Sequence, residues 1–527
     1  MSKPKYCSLL WKHISNEPFG HVRTCCIARD RVTDSDGKEY TLGETSIRDV
    51  FHSEYYKNIR QEIREGKMPS NCEPCWRDER NGVKSKRQIY NEYADYRYPD
   101  IDYAEEPDMP EDLQIILSTT CNLKCRTCNP NYSSKWVKEA EERRMPYVKE
   151  KVKVNFDDVN NSKFWTEIDD WLPHAKYLEI MGGEPFYMKE FKVFANKLID
   201  DNIAKNVHVN LSTNGTTLNK DFLQKMIDNF ASVGFNISID GAVAKRFEYL
   251  RHGAVWKEVC ENLDYFHSLL PAIAIGVTHT VSSLNVMYLA EFHKIFAERW
   301  PKFKIFHNMA NFPTWYNPNI FPEECKEEIV EPLQNLEQFR EEYRDDIAGI
   351  IKHVLTPRTE TVVPYGTGIN DTVENEIAWR WSLFISQTVA GDLYRKENFR
   401  ESFPELFTVL KNHKVFYYDG ELKEAKVNPD YGTLTGTLGQ SPLFSGLQVA
   451  SSENSELIYE TLGEIDFNIS GSPAEGRTMP QIIERDSQSG RATKYRITRY
   501  VKAVSGQTKT KSFTITSPTK FLELDLG

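Results

Sequence analysis

Between residues 113 and 310, short apolar runs alternate with longer stretches in which apolar residues return at helical spacing. The runs at 113–118, 177–181, 206–213, 234–240, 272–281 and 303–309 predict strands. Between them, Val255, Val259, Leu263 and Phe266, and then Leu289, Phe292 and Phe296, predict amphipathic helices. Such alternation argues for βα units and a parallel sheet curled into a barrel or part of one. The third and fourth runs also alternate internally. His208, Asn210, Ser212 and Asn214 fall on one side of the third, with Val207, Val209 and Leu211 on the other. Asn236, Ser238 and Asp240 oppose Phe235, Ile237 and Ile239 in the same way. Helices would cover the apolar side, so the polar side should line the interior. A buried polar lining is costly unless a polar ligand or solvent satisfies it.

Beyond 310 the texture changes. Residues 320–355 are charged and helical, and the run from Glu323 to Glu328 reads as a solvated face. Turn signals such as Tyr365-Gly366-Thr367-Gly368 mark 356–385, and 393–412 reads as a closing helical segment. From 413 onward Gly, Ser and Thr rise, and alternating runs at 494–501 and 512–516 predict strands and hairpins. The expected organisation is an N-terminal cysteine-rich module (1–104), a barrel (105–310), a helical extension (311–412) and a C-terminal β-rich domain (413–527).

Composition narrows the partners. A net charge of −11 over 527 residues, with no basic arm, argues against a nucleic-acid partner. No apolar run approaches the ~18 residues of a membrane span, and the first residues lack a signal peptide's apolar region. The expectation is a cytoplasmic protein, in the host's cytoplasm if it is phage-encoded. In that compartment its ten cysteines are metal-ligand candidates before they are disulfides.

Cys121, Cys125 and Cys128 follow the first strand candidate in a C-x3-C-x2-C pattern. Three thiolates can hold three irons of a [4Fe-4S] cluster and leave the fourth open, whereas a closed electron carrier uses four cysteines. A zinc knuckle is the alternative, although zinc favours paired C-x2-C units or added histidines, and no histidine lies near this loop. Met181-Gly182-Gly183-Glu184-Pro185 follows the second strand candidate, and Ser238-Ile239-Asp240-Gly241 ends the fourth.

Over residues 105–310 this combination resembles the radical SAM superfamily. The resemblance implies an α/β fold, a partial (β/α)6 TIM-like barrel with its site at the C-terminal strand ends. It implies a SAM-binding [4Fe-4S] cluster on Cys121, Cys125 and Cys128, with S-adenosylmethionine bound at the open iron. Gly182, Gly183 and Glu184 resemble the segment that meets the amino group of S-adenosylmethionine, Ser212 and Asn214 the third-strand contacts, and Ser238 and Asp240 the ribose side. Arg251 is a candidate partner for the carboxylate. Thr127 departs from the family pattern, in which the residue before the last cysteine is often aromatic. His279 and His307, near later strand ends, are assigned no role.

The first hundred residues hold Cys7, Cys25, Cys26, Cys72 and Cys75, with Gly20 between the first two. This is similar to the SPASM auxiliary-cluster module, and closer to its one-cluster Twitch form in phages and bacteria. Glu79, Gly82, Ser85 and Arg87 continue that resemblance. Here the module precedes the barrel, where such modules usually follow it. It implies an auxiliary [4Fe-4S] cluster on Cys7, Cys25, Cys72 and Cys75, with the glycine spacing favouring Cys25 over Cys26; a zinc site is the alternative. Cys260 reads as a core residue, and Cys325 is assigned no role.

The implied activity is reductive cleavage of S-adenosylmethionine to a 5′-deoxyadenosyl radical for hydrogen abstraction. An electron donor such as flavodoxin or ferredoxin and a peptide, protein or small-molecule substrate are implied with it. The competing reading is a non-catalytic iron–sulfur protein, electron-carrying or structural, with a C-terminal binding domain.

Overall fold

The computed structural model describes residues 6–80, 84–143, 145, 162–361, 373–413 and 415–416, and the backbone of three strands between 480 and 515. All six expected strands form, as β3 (Asp112–Ile116), β5 (Tyr177–Met181), β6 (His208–Thr213), β7 (Ser232–Ser238), β9 (Ala274–Val281) and β10 (Lys304–Met309). They pair in parallel, in the spatial order β3-β5-β6-β7-β9-β10. The sheet does not begin there. A short strand, β1 (His13–Asn16), pairs in parallel with β3, and β2 (Val22–Arg23) adds antiparallel beyond it. Residues 13–23 therefore extend the same sheet. A separate two-stranded pairing joins β4 (Lys124–Cys125) to β8 (Arg251–His252).

The helices that matter below are α1 (Glu54–Arg64), α2 (Glu73–Arg80), α3 (Lys86–Arg97), α4 (Ser134–Glu142), α5 (Lys189–Asp200), α6 (Lys220–Asn229), α7 (Ala244–Leu250), α8 (Trp256–Ser268), α9 (Leu289–Arg299), α10 (Glu341–Leu355), α11 (Val373–Arg395) and α12 (Pro404–Asn412). Register sorts the strand side chains into two faces. Val209, Leu211, Phe235, Ile237 and Val277 lie on the outer face and are buried with Phe191 of α5, Leu223 of α6, Phe266 of α8 and Phe292 of α9 in one core. The Phe235 and Phe266 ring centroids are 5.0 Å apart. Local chemistry starts these helices where they are needed. Asn219 caps α6 by accepting from Phe222 N, and Ser85 forms a reciprocal capping box with Gln88 on α3.

The inner face carries the polar set: Glu179 beside Asn210, Ser212 beside Asn236, Ser238 beside Thr278. Its lower end is occupied by protein. The Arg97 guanidinium, at the end of α3, lies 4.1 Å from the Tyr177 ring centroid and 3.3 Å from Asp112. Tyr177 in turn stacks on His208 at 5.0 Å.

Two expectations are corrected and a third is refined. Residues 373–385, read as turn-rich, belong to the 23-residue helix α11. Residues 393–412 are helical as expected, but in three pieces: the end of α11, a short turn of helix at Phe399–Ser402, and α12. The acidic run from Glu323 to Glu328 is not a solvated face throughout: Cys325 is fully buried, and Lys326, 2% exposed, donates to Thr356 O at 2.7 Å. In the C-terminal region, β11 (Pro480–Arg485), β12 (Ala492–Lys502) and β13 (Thr508–Ile515) form an antiparallel sheet in that order, covering both predicted runs. The remainder of the expected β-rich domain, the Tyr365–Gly368 turn and Gly82 lie outside the described residues. Among the described residues no helix is long and apolar enough to cross a membrane.

If β1 belongs to the barrel's sheet, Ile14→Ala should destabilise the whole barrel. Ile14 is 1% exposed and lies in register with Leu113. Denaturant unfolding followed by far-UV circular dichroism should show the main transition weakened by about 2–5 kcal/mol. A separate minor transition with the main one unmoved would contradict the shared sheet.

Candidate functional site

The cysteine loop leaves β3 and is tied down on every side. Ser134 N donates to Thr119 O at 2.8 Å, Ser133 Oγ to Leu123 O at 2.7 Å and the Trp136 indole to Cys125 O at 2.9 Å. Arg126 N donates to Leu250 O at 2.7 Å, and β4 pairs with β8, which brings Arg251 opposite Cys125. Asn214 donates to Asn122 Oδ1 at 2.9 Å, and Asn122 to Thr216 Oγ1 at 2.8 Å.

The two glycines of the Gly-Gly-Glu-Pro segment serve this same loop. Gly183 N donates to Ser118 O at 3.1 Å and Glu184 N to Thr120 O at 2.9 Å. A Cβ on Gly183 would sit 2.0 Å from Thr120 O, and one on Gly182, whose φ is +114°, 2.6 Å from Ser118 O. Only glycine permits that approach. The Glu184 side chain is fully buried and turned inward, accepting from Thr213 Oγ1 and Asn214 N at 2.7 Å each and from Phe186 N at 3.2 Å. Burial pushes its carboxyl up to about 7, against those hydrogen bonds and Arg251.

Asp240 and Arg251 form a buried ion pair at 2.9 Å. Asp240 also accepts from Thr280 N at 3.0 Å, and Arg251 Nη1 lies 3.9 Å from Cys125 Sγ. Arg251 Nε has no partner among the described residues. Ser212 and Ser238 are half-buried on the inner face, one strand apart. The loop, the Gly-Gly-Glu-Pro segment, Asn214, Asp240 and Arg251 thus converge beyond the C-terminal strand ends. His279 and His307 lie elsewhere. They share a register position on the outer face, where His279 packs on Phe292 at 4.3 Å and His307 meets His293 at 2.9 Å between ring nitrogens.

The donor set suits a thiolate-bound cluster. Burial raises all three thiols, Cys125 to about 12, and each feels at least one other cysteine of the trio or the opposing Arg251. Adjacent buried thiols resist ionisation unless a cationic centre takes their charge. Leu123 N and Asn214 Nδ2 lie 3.4 and 4.0 Å from Cys121 Sγ. Among the described residues no group of three or more His, Cys, Asp or Glu is drawn together tightly enough for a single metal ion.

The front cysteines form a second group. Burial lifts Cys7 to about 12, with Cys25 and Cys75 adding to it; Cys25 rises to about 11, and Cys72 is raised by burial and by Cys7, Cys25 and Cys75. Cys26 is exposed and instead meets Lys86 Nζ at 2.9 Å. Asn71 binds the two halves: its Oδ1 accepts from Asp30 N at 2.7 Å and its Nδ2 donates to Thr24 Oγ1 at 3.2 Å. Glu79 accepts from Ser85 and Arg87, and Arg87 donates to Tyr6 O at 2.7 Å, which fixes the Cys7 loop to α3 and α2.

Residues 115–292 match the family model of the Radical SAM superfamily. The chain carries a radical SAM domain. Over 141 residues it is 27% identical to an S-adenosylmethionine-dependent nucleotide dehydratase of Psychrobacter lutiphocae, a match covering 25% of this chain and 46% of the relative. The chain therefore spans about half the length of that curated relative. Among solved structures it is similar to native anSMEcpe with bound AdoMet, at 20% identity over 45% of this chain and 61% of that one, with a TM-score of 0.29. It is also similar to Streptococcus suis SuiB bound to precursor peptide SuiA, at 13% identity over 53% and 58%, with a TM-score of 0.28.

Sequence reasoning missed three site residues. Thr213 sits in the apolar phase of β6, and its hydroxyl was the available signal. Arg126, inside the cysteine pattern, is 3% exposed and paired with Asp392. Arg395 of α11, which pairs with Glu139 of α4 at 3.0 Å, gave no local signal.

Glu184 yields a pH test. Its folded value near 7 lies above the usual 4.5, so between those limits the folded state keeps a proton that the unfolded state has released. Stability of the apoprotein should therefore fall as pH rises from 4.5 toward 7 and level off above it. Denaturation curves should show this decline in wild type and its loss in Glu184→Gln. An unchanged slope in the variant would contradict the assignment.

Proposed function

We propose that the chain is a radical SAM enzyme that reductively cleaves S-adenosylmethionine and abstracts hydrogen from a substrate, with one auxiliary [4Fe-4S] cluster on Cys7, Cys25, Cys72 and Cys75. The observation that carries this is the meeting of three cysteines, Cys121 buried and Cys125 and Cys128 half-buried, with Glu184, Asn214, Asp240 and Arg251 beyond the strand ends of a radical SAM domain. When bound, the cluster and S-adenosylmethionine supply a 5′-deoxyadenosyl radical.

The protein's part is geometry and exclusion of water. Cys121, Cys125 and Cys128 would hold the cluster. Arg251, fixed by Asp240, keeps an unused Nε for an anionic group such as a carboxylate. Ser212 and Ser238 offer hydroxyls on the inner face, while Gly182, Gly183 and Glu184 set the loop's position. On this reading the segments 1–104, 105–310, 311–412 and 413–527 are auxiliary module, core, extension and tail, and a flavodoxin or ferredoxin delivers the electron in the cytoplasm.

For the substrate we favour a peptide or protein side chain. Phe306, 49% exposed, stands on the inner face of β10, in register with Thr278, and leans over Gly276; Asn236 and Ser238 lie on the same face across β9. That mixture suits a peptide's apolar side chain and amide backbone together. The match to a nucleotide dehydratase favours a second reading, a nucleotide-derived small molecule.

The test is anaerobic reconstitution with iron and sulfide, addition of dithionite and S-adenosylmethionine, and quantitation of 5′-deoxyadenosine. Wild type should form it and Cys125→Ala should form none. No product from wild type with a full iron and sulfide content would favour the electron-carrying or structural reading. Stimulation by ribonucleotides would select the small-molecule substrate class over the peptide.

A further inference from the structure

An ionic layer packs against the cysteine loop. The Arg126 side chain, 2% exposed, meets Asp392 of α11 at 2.7 Å and also pairs with Glu397. Its guanidinium lies 4.1 Å from the Tyr249 ring, and the Tyr249 hydroxyl donates to the same Asp392 at 2.7 Å. Gly391 leaves the space: a Cβ there would sit 2.1 Å from Arg126 Nη1. These contacts fix the end of α11 beside the loop.

From there Arg395 reaches Glu139 of α4, with Nε 3.0 Å from each carboxylate oxygen and both side chains fully buried. Its guanidinium lies 4.4 Å from the Trp136 ring, and that indole donates to Cys125 O. Among the described residues, Arg395 Nη1 and Nη2 have no hydrogen-bond partner. Glu139 also pairs with Lys124 at 2.8 Å and with Arg143 at 2.9 Å, so one carboxylate faces three cations and leaves net positive charge beside the loop.

We propose that Arg395 is a positioning residue for the SAM-binding cluster: held by the Arg126–Asp392 pair, it supplies buried positive charge behind Cys125 and raises the cluster's reduction potential. The proposal rests on the iron–sulfur reading of Cys121, Cys125 and Cys128. Reduction adds one electron to the site, and a buried cation only partly balanced by the shared Glu139 carboxylate favours the more negative state. A helix outside the barrel thereby takes part in setting how easily the barrel's cluster accepts its electron.

The experiment is an anaerobic redox titration of the full-length holoprotein, read by electron paramagnetic resonance, with iron measured on each sample. Arg395→Gln should lower the reduced-to-oxidised ratio at a fixed potential by roughly tenfold, equal to about 59 mV for a one-electron couple. Arg395→Lys should stay near wild type. Glu139→Gln, which removes the negative charge paired with Arg395, should shift the opposite way. The auxiliary signal should not move in any of them. Arg395→Gln with full iron and an unshifted potential would overturn the proposal. If that variant takes up no iron, Glu139→Gln decides, and a fully loaded sample without an upward shift overturns it. Iron loss in both Arg395→Gln and Arg395→Lys would show that guanidinium shape, not charge, is required, and would also overturn it. A wild type that takes up no iron would instead remove the iron–sulfur reading itself.

Discussion

The arrangement depends on a backbone contact in which no side chain could stand. Gly182 and Gly183 lie so close to Ser118 and Thr120 that a single added carbon would overlap a carbonyl oxygen. Through this contact the end of β5 and the loop leaving β3 become one surface, and the cysteines take their positions relative to the sheet. Glu184 extends the lock to β6 by accepting from Thr213 and Asn214, and Asn214 returns to the cysteine loop through Asn122. The motif's first service is thus to hold the loop; what it offers a ligand follows from that.

Around this lock the protein accumulates buried charge. Asp240 with Arg251, Asp392 with Arg126, and Glu139 with Arg395 are removed from water almost completely. Ion pairs of this kind return little net stability, because desolvation offsets most of their attraction. Three of them around one cysteine loop are better understood as setting position and field. Idle donors remain on Arg251 and Arg395, which suits a site whose negative charge arrives with its cofactor.

Much of the barrel was legible because its strands and helices carry strict periodicity. The inner and outer faces of β6 and β7 could be assigned from alternation alone, and register bears that assignment out. What escaped was held together by distant polar partners. The strand β1 reads His13-Ile14-Ser15-Asn16, with little apolar signal. It is stabilised by His13 meeting Asp112 at 3.1 Å and by Asn16 bonding both N and O of Ile116, about a hundred residues away. The helix α11 escaped for a related reason: Glu376, Thr388, Asp392 and Arg395 are buried polar residues, so its sequence shows no clean apolar stripe. Lys326 and Cys325 misled in the same way, since an acidic run concealed a buried pair.

The central claim is that two separate cysteine groups each hold an iron–sulfur cluster, and that Cys25 rather than its neighbour completes the second. The most direct measurement is iron and acid-labile sulfide content, with Mössbauer spectra, for anaerobically reconstituted wild type, Cys25→Ala and Cys26→Ala. Wild type and Cys26→Ala should each carry about eight irons in two cubane sites, and Cys25→Ala about four. Stoichiometric zinc in place of iron, or equal iron loss in Cys26→Ala with none in Cys25→Ala, would contradict the account.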